Sequence, residues 1–340
     1  MNEFIDLKIS EYFSREYRSV SKDEGKAKIA IRQTLTILVN TANNVIRMAR
    51  DNDGIEIKFI IDTAGEPLKP ATSHKTTWGY DAGIEIGFIH LLYNKVEHVA
   101  KEHGRAYDPV AFVIMACLTA IGHEFAHSLK GHFARAATAL GERVAPLEEN
   151  EADRRGGEGS LAGLLNRKNC ELLAQYTRVS QPNDIVEAAF VGHWLLAATI
   201  ADYERDEKLY APAEQRAAMF NIGFIKASLS VKHLKPHDTF LSFLEAREIA
   251  RKISKELFGS SVERGGLPGL EDAIKGFAPD IIERIQARSV ETYAASPFNR
   301  ASTDQGPGEA HCIRVQEPSP PLNKRSRGFW KLLQWRPRPR

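Results

Sequence analysis

Two histidines and a glutamate lie close together in the segment His123-Glu124-Phe125-Ala126-His127, which has the HExxH pattern. On a helix, residues four apart lie on one face, about one turn from each other. Both imidazoles can therefore reach one tetrahedral ion at about 2.0–2.1 Å, the distance at which histidine nitrogen binds zinc. Glu124 is displaced round the helix, so its carboxylate can instead reach a water in the fourth coordination position. The segment predicts a hydrolytic zinc site with Glu124 as the base.

The alternative is that the motif occurs by accident, which is a risk for any short pattern. Its surroundings argue against this alternative. The motif lies at the end of a long apolar segment that begins at Asp108-Pro109, a pair suited to a helix start. Two histidines and a glutamate would be costly to bury there without partners, and a metal ion would offset that cost.

A third ligand is needed, and two places in the sequence offer one. His132 lies nine residues after His123, which is about 180° round a continuing helix. Lys130 and Phe133 also depart from the HExxHxxGxxH pattern of metzincins. We therefore interpret His132 as a group near the helix end, where Gly131 can stop the helix.

The second place is the acidic segment 148–153, in which Glu149 and Asp153 are four apart and share a helix face. Ala152 is small and would let this helix approach the first one closely. A ligand-bearing helix is one interpretation. A solvated acidic helix start is the other, because acidic residues favour helix N-termini.

The elements around the motif are mostly helical. Residues 1–50 have apolar residues at helix spacing, and residues 55–59 and 83–87 alternate as short strands. Helical patterns then continue almost to residue 293. The predicted fold class is mostly α (α+β), a zincin-like helical domain with a small β element over residues 1–295. Residues 296–326 read as a disordered linker, because they are rich in Ser, Pro, Gly and Asn.

The HExxH segment followed by the ExxAD segment Glu149–Asp153 resembles the gluzincin peptidases. The likeness covers residues 80–165 and is greatest to the Lit-type phage-exclusion peptidases and the ImmA/IrrE-like peptidases, which share Lys130-Gly131-His132 as a Gly-His after the motif. The resemblance implies one Zn²⁺ per chain, with His123, His127 and Glu149 as metal ligands and Asp153 supporting the site. It also implies a protein substrate, in regulation or phage defence.

Three glycines depart from the expected pattern. Gly156, Gly157 and Gly159 follow Asp153 where a continuous helix is expected, and each costs a helix interior about 1 kcal/mol relative to alanine. We therefore expect the ligand helix to break early, which would affect the placement of Glu149.

A peptidase also needs a group that stabilises the oxyanion, and His193, Tyr203, His233 and His237 are the candidates. We take His193 as a second catalytic residue, with a satisfied core histidine as the alternative reading of its apolar surroundings. The strand at 83–88 could present an open edge to an extended substrate.

Composition excludes several classes of protein. The net charge is only +2, the three cysteines form no metal or disulfide pattern, and no apolar run reaches the ~20 residues of a membrane span. No signal peptide is evident at the N-terminus, so a cytoplasmic location is the default expectation. The basic aromatic tail, residues 327–340, has no acidic residue. It could bind an anionic membrane surface or single-stranded nucleic acid, or be a solvated tail without a role.

The sequence thus predicts a zinc-dependent endopeptidase that hydrolyses a peptide bond in a cytoplasmic protein. The alternative is a catalytically decayed zincin that acts as a non-enzymatic binding or regulatory module. The intact Glu124 argues against decay, because a site that needs only structural zinc has no use for a base.

Overall fold

The computed structural model describes residues 1–15, 23–63, 71–103, 108–132, 146–179, 182–203 and 213–228. This part of the chain is 79% helical, with eight helices and one small sheet, which confirms the expected mostly α class with a small β element. The predicted linker at 296–326 and the tail at 327–340 lie outside the described residues, as does the predicted domain end at 295.

The helices are α1 (Asn2–Phe13), α2 (Glu24–Asp53), α3 (Ile86–His103), α4 (Pro109–Leu129), α5 (Pro146–Leu165), α6 (Arg167–Tyr176), α7 (Pro182–Tyr203) and α8 (Ala213–Ser228). The strands are β1 (Ile57–Asp62), β2 (Ala71–Lys75) and β3 (Tyr80–Glu85). The predicted N-terminal helical region thus contains two helices. The second ends where Gly54 adopts a left-handed φ of 64°.

The sheet has the order β1-β3-β2, with β1 parallel and β2 antiparallel to β3. The expectation that residues 83–88 present an open edge is therefore wrong. β3 is the central strand, paired on both sides, and α3 already begins at Ile86. Among the described strands the edge position beside α4 belongs to β2, which was not expected from the sequence to be a strand.

Helix α4 is the central element of the fold. The Asp108 side chain accepts hydrogen bonds from the backbone nitrogens of Val110 and Ala111, both at 3.2 Å, and so caps its first turn. The helix contacts α2, α3, α5, α7 and the strands β2 and β3, so it is apolar on every side. It is the one helix among those described that is long and apolar enough to cross a membrane, and 78% of its most apolar stretch is buried inside the protein.

Helix α5 runs unbroken from Pro146 to Leu165 through all three glycines, so the expected early break is wrong. A Cβ on Gly156 would lie 2.8 Å from the carbonyl oxygen of Thr119 in α4, and one on Gly157 would lie 1.8 Å from that of Phe220 in α8. The glycines are needed because the backbones of α4 and α8 lie against α5. The burial gained by this packing outweighs the low helix propensity of glycine.

Candidate metal centre

The ends of α4 and α5 bring three possible metal ligands together. The Nε2 atoms of His123 and His127 lie 2.9 Å apart on the last turns of α4. From α5, Glu149 places Oε2 at 3.4 Å from Nε2 of His123 and Oε1 at 3.5 Å from Nε2 of His127. One ligand atom from each of the three residues lies within 4.8 Å of the others. The structure thus brings together the three residues that were predicted as ligands.

The three side chains fit a divalent metal ion. A tetrahedral ion with bonds of about 2.0–2.1 Å holds its ligand atoms about 3.3 Å apart. The two Nε2 atoms are 2.9 Å apart, and each lies 3.4–3.5 Å from a different oxygen of Glu149, separations close to that value. Glu149 Oε2 is buried and lacks a hydrogen-bond donor of suitable geometry, as expected of an oxygen that faces a cation. Two imidazoles and one carboxylate would leave a fourth position open on such an ion, which is the pattern of catalytic sites. The same donors suit several divalent ions, so the choice of zinc belongs to the proposal below.

A buried carboxylate, itself paired with a buried arginine, lies against the ring nitrogen of His123 that faces away from the ligand cluster. Its Nδ1 lies 2.8 Å from Oδ1 of Asp153. Arg216, from α8, donates to both oxygens of Asp153 at 3.0 Å. Because Nδ1 faces this carboxylate, the proton of the neutral ring lies there, and Nε2 keeps its lone pair for a metal. The position of Asp153 is the one expected from the sequence, whereas Arg216 was not identified.

Another histidine lies against the ring nitrogen of His127 that faces away from the ligand cluster. Its Nδ1 lies 2.9 Å from Nδ1 of His132, which is completely buried. The other ring nitrogen of His132 faces Oε2 of Glu151 at 3.6 Å. Helix α4 does end before His132, as predicted, with Gly131 at a φ of 65°. The calculated position of about 180° round the helix does not apply, because the turn at Gly131 directs His132 back against His127.

Glu124 lies beside the ligands and is held by a strand. The hydroxyl of Ser73, in β2, donates to Oε2 of Glu124. Burial raises the pKa of the Glu124 carboxyl, although the nearby His123 and Ser73 oppose the shift. A carboxylate with a raised pKa is a stronger base for a proton from water. Ser73 was not identified from the sequence, because no local pattern connects it with Glu124.

The charges around the ligands favour a cation. Burial disfavours a charged His123 ring, but the nearby carboxylates of Asp153 and Glu149 outweigh it and raise its pKa to about 10. Burial also opposes ionisation of Glu149 and Asp153, yet the pKa of Glu149 is lowered, chiefly by His123, and that of Asp153 chiefly by Arg216. Burial lowers the pKa of His127. Two ionised carboxylates thus attract positive charge to His123, and a divalent ion can take the place of its proton.

The structure does not bring His193 into this group. His193 is completely buried in α7, with Nδ1 at 2.6 Å from Oδ1 of Asn221 and Nε2 at 3.4 Å from Oγ of Ser160. The rings of Phe190, Phe220 and Phe224 surround it, and burial lowers its pKa to about 4. These contacts favour the alternative reading of His193, a satisfied core histidine, over a catalytic residue.

The other candidates for oxyanion stabilisation cannot be placed at the site. Tyr203 is the last residue of α7, in a stretch whose side chains are not described, and His233 and His237 lie outside the described residues. The two described cysteines, Cys117 and Cys170, are buried and form no disulfide.

No protein-family model, no curated protein and no solved structure matches the chain.

Proposed function

We propose that this chain is a zinc-dependent endopeptidase of the gluzincin type. The observation that carries the proposal is the convergence of His123 Nε2, His127 Nε2 and Glu149 beside a half-buried Glu124 that accepts a hydrogen bond from Ser73. The ligands come from the HExxH helix and the next described helix, at the positions expected of HExxH and ExxAD segments. A purely structural site would need the ligands but not the base.

Each residue has a distinct part in the proposed reaction. The two histidines and Glu149 hold the ion, which when bound supplies the Lewis acidity that activates water and polarises a carbonyl. Glu124 accepts a proton as the water oxygen adds to the carbonyl carbon. It passes this proton to the nitrogen of the leaving amine as the C–N bond breaks. Ser73 orients the carboxylate of Glu124, and Asp153 orients the ring of His123.

A peptide is the substrate class that the surroundings favour. β2 carries Ser73 and, among the described strands, lies at the edge of the sheet. An extended peptide that paired with this edge would pass next to Glu124, and main-chain hydrogen bonds would give it affinity. A cytoplasmic protein as substrate, and a role in regulation or phage defence, extend the proposal through the resemblance described above.

The replacement Glu124→Gln tests the proposal against the non-enzymatic alternative. We expect the purified wild type and Glu124→Gln to bind about one zinc per chain, because the ligands remain, while His123→Ala loses it. Only the wild type should generate new protein termini when the three proteins are expressed in cells and compared by terminal proteomics. Identical protein termini in cells expressing any of the three, with zinc still bound to the purified wild type, would favour the binding or regulatory module.

A further inference from the structure

We propose that His132 and Glu151 are positioning residues that fix the tautomer of His127, so that its Nε2 presents a lone pair to the metal. This inference rests on the metal centre of the proposed function but concerns residues outside the ligand set. From the sequence, His132 was set aside as a ligand and Glu151 was not singled out.

The three groups form a continuous line away from the ligand cluster. His127 Nδ1 and His132 Nδ1 are 2.9 Å apart, and His132 Nε2 lies 3.6 Å from Oε2 of Glu151. All three side chains are at least nine-tenths buried, with His132 at 0% and Glu151 at 3% exposure. The 3.6 Å contact is longer than a hydrogen bond. It nevertheless places a carboxylate oxygen opposite the outer nitrogen of His132.

This arrangement selects one tautomer for each ring. A bare lone pair on His132 Nε2 would face the Glu151 carboxylate and be repelled, so the proton of the neutral ring belongs on Nε2. His132 Nδ1 then carries a lone pair and can only accept a hydrogen bond. The donor is the Nδ1–H of His127, because the two nitrogens are within hydrogen-bond distance. His127 consequently has its own lone pair on Nε2, which is the atom that faces His123 and Glu149.

The two histidine ligands are thus supported by different groups. The carboxylate of Asp153 lies directly beside the His123 ring, with Oδ1 at 2.8 Å from Nδ1, whereas a neutral imidazole separates His127 from the carboxylate of Glu151. A partner behind a liganding histidine fixes its ring orientation and tautomer, and its loss typically weakens metal binding by roughly 10- to 100-fold. We expect the effect of His132 to lie in this range.

The tautomers can be measured directly by long-range ¹H–¹⁵N correlation spectra of the histidine side chains. The wild type is recorded without metal and with one equivalent of zinc. We expect His132 to carry its proton on Nε2 in both samples and His127 to carry it on Nδ1. A proton on His132 Nδ1 in both samples would overturn the proposal.

Zinc affinity separates positioning from packing. His132→Leu removes the acceptor at similar size, whereas His132→Asn keeps a side-chain oxygen near the position of Nδ1. We expect His132→Leu to bind zinc about 10- to 100-fold more weakly than the wild type, and His132→Asn to recover part of the loss. The control is His90→Gln, because His90 is also a buried histidine with a side-chain partner, Tyr12, at 3.0 Å. Equal losses in the Leu and Asn variants would show a packing role and contradict the proposal.

The outcomes for the two proposals are separable. If the wild type binds no zinc while the tautomers are as stated, the metal centre fails and the positioning contacts remain. If the wild type binds zinc and His132→Leu binds it equally well, the metal centre stands and the positioning role fails. If His132→Leu does not fold, the tautomers of the wild type and the zinc affinity of His132→Asn still test the positioning role.

Discussion

The backbone nitrogen of His123 lies only 3.3 Å from the position that a Cβ on Gly156 would occupy. The two helices that carry the ligands therefore touch backbone to backbone beside the metal centre. This contact lets Glu149, almost two turns earlier in α5, reach the Nε2 atoms of α4.

The replacement Gly156→Ala tests this contact. Its Cβ would also lie 2.8 Å from the carbonyl oxygen of Thr119, so the helices must separate. We expect a loss of about 1–3 kcal/mol in the free energy of unfolding, as is typical of overpacking, together with weaker zinc binding. Urea unfolding and zinc titration measure both. Gly25→Ala is the control, because a Cβ at Gly25 in α2 would meet nothing within 4 Å. Unchanged stability and affinity in Gly156→Ala would show that the helices adjust freely.

The sequence predicted those parts of the site that follow from local periodicity. His123 and His127, and likewise Glu149 and Asp153, are pairs four residues apart, and a helix places such pairs on one face. Prediction from the sequence failed where the chain turns or where elements distant in the sequence meet. Gly131 changes the chain direction and brings His132 onto His127.

Tertiary packing accounts for the other differences. Ser73 and Arg216 reach the site from elements that no local pattern connects with it. The glycines after Asp153 were misread because helix propensity describes an isolated helix, whereas here a neighbouring backbone occupies the space of each Cβ at Gly156 and Gly157. A sequence carries little signal of such close approaches, apart from the presence of the glycines themselves.

Ser73→Ala should impair the base without removing the metal. The Ser73 hydroxyl lowers the pKa of Glu124 by donating to it, so its loss raises that pKa. The acid limb of the profile of kcat/KM against pH should then move to higher pH, because Glu124 must be ionised to accept a proton. We expect about a 10-fold loss of kcat/KM near neutral pH, less than the roughly 100-fold or more expected when a general base is lost altogether, and unchanged zinc content.

Thr72→Ala is the matched control for Ser73→Ala. Thr72 precedes Ser73 in β2, is exposed, and points to the opposite face of the sheet because strand side chains alternate. A Ser73→Ala protein with the pH profile of the Thr72 variant would show that the serine does not orient Glu124.

Arg216 and Asp153 should behave as a coupled pair. Arg216→Gln leaves the carboxylate of Asp153 buried with its arginine removed, and breaking a buried pair in this way costs about 3–5 kcal/mol. Asp153→Asn should weaken zinc binding by roughly 10- to 100-fold, because the acceptor for His123 loses its charge. We expect the double variant to be less destabilised than the sum of the two single variants. Additive effects in urea unfolding would contradict the coupling.

His193 should make the stability of the fold depend on pH. Burial lowers its pKa from 6.5 to about 4, so between these values the unfolded chain binds a proton that the folded chain does not. The free energy of unfolding should therefore fall as pH drops from about 6.5 to about 4, by about 3 kcal/mol from this residue. His193→Gln removes this titration. The difference in stability between wild type and variant, measured in metal chelator, should shrink over this range. A difference independent of pH would contradict the buried neutral state.

The choice of Glu149 as the third ligand is decided by comparison with its neighbour. Glu149 and Glu148 are adjacent acidic residues in the first turn of α5, and both are largely buried, but only Glu149 faces the two histidines. We expect Glu149→Ala to weaken zinc binding by more than the roughly 100-fold upper range for a supporting partner, because a direct bond to the metal is lost. Glu148→Ala should bind zinc as the wild type does. Competition titrations with a chelator measure both affinities, and thermal unfolding of the metal-free proteins shows whether each variant folds. A Glu149→Ala protein with wild-type affinity would remove Glu149 from the ligand set, and with it the ground for the gluzincin assignment.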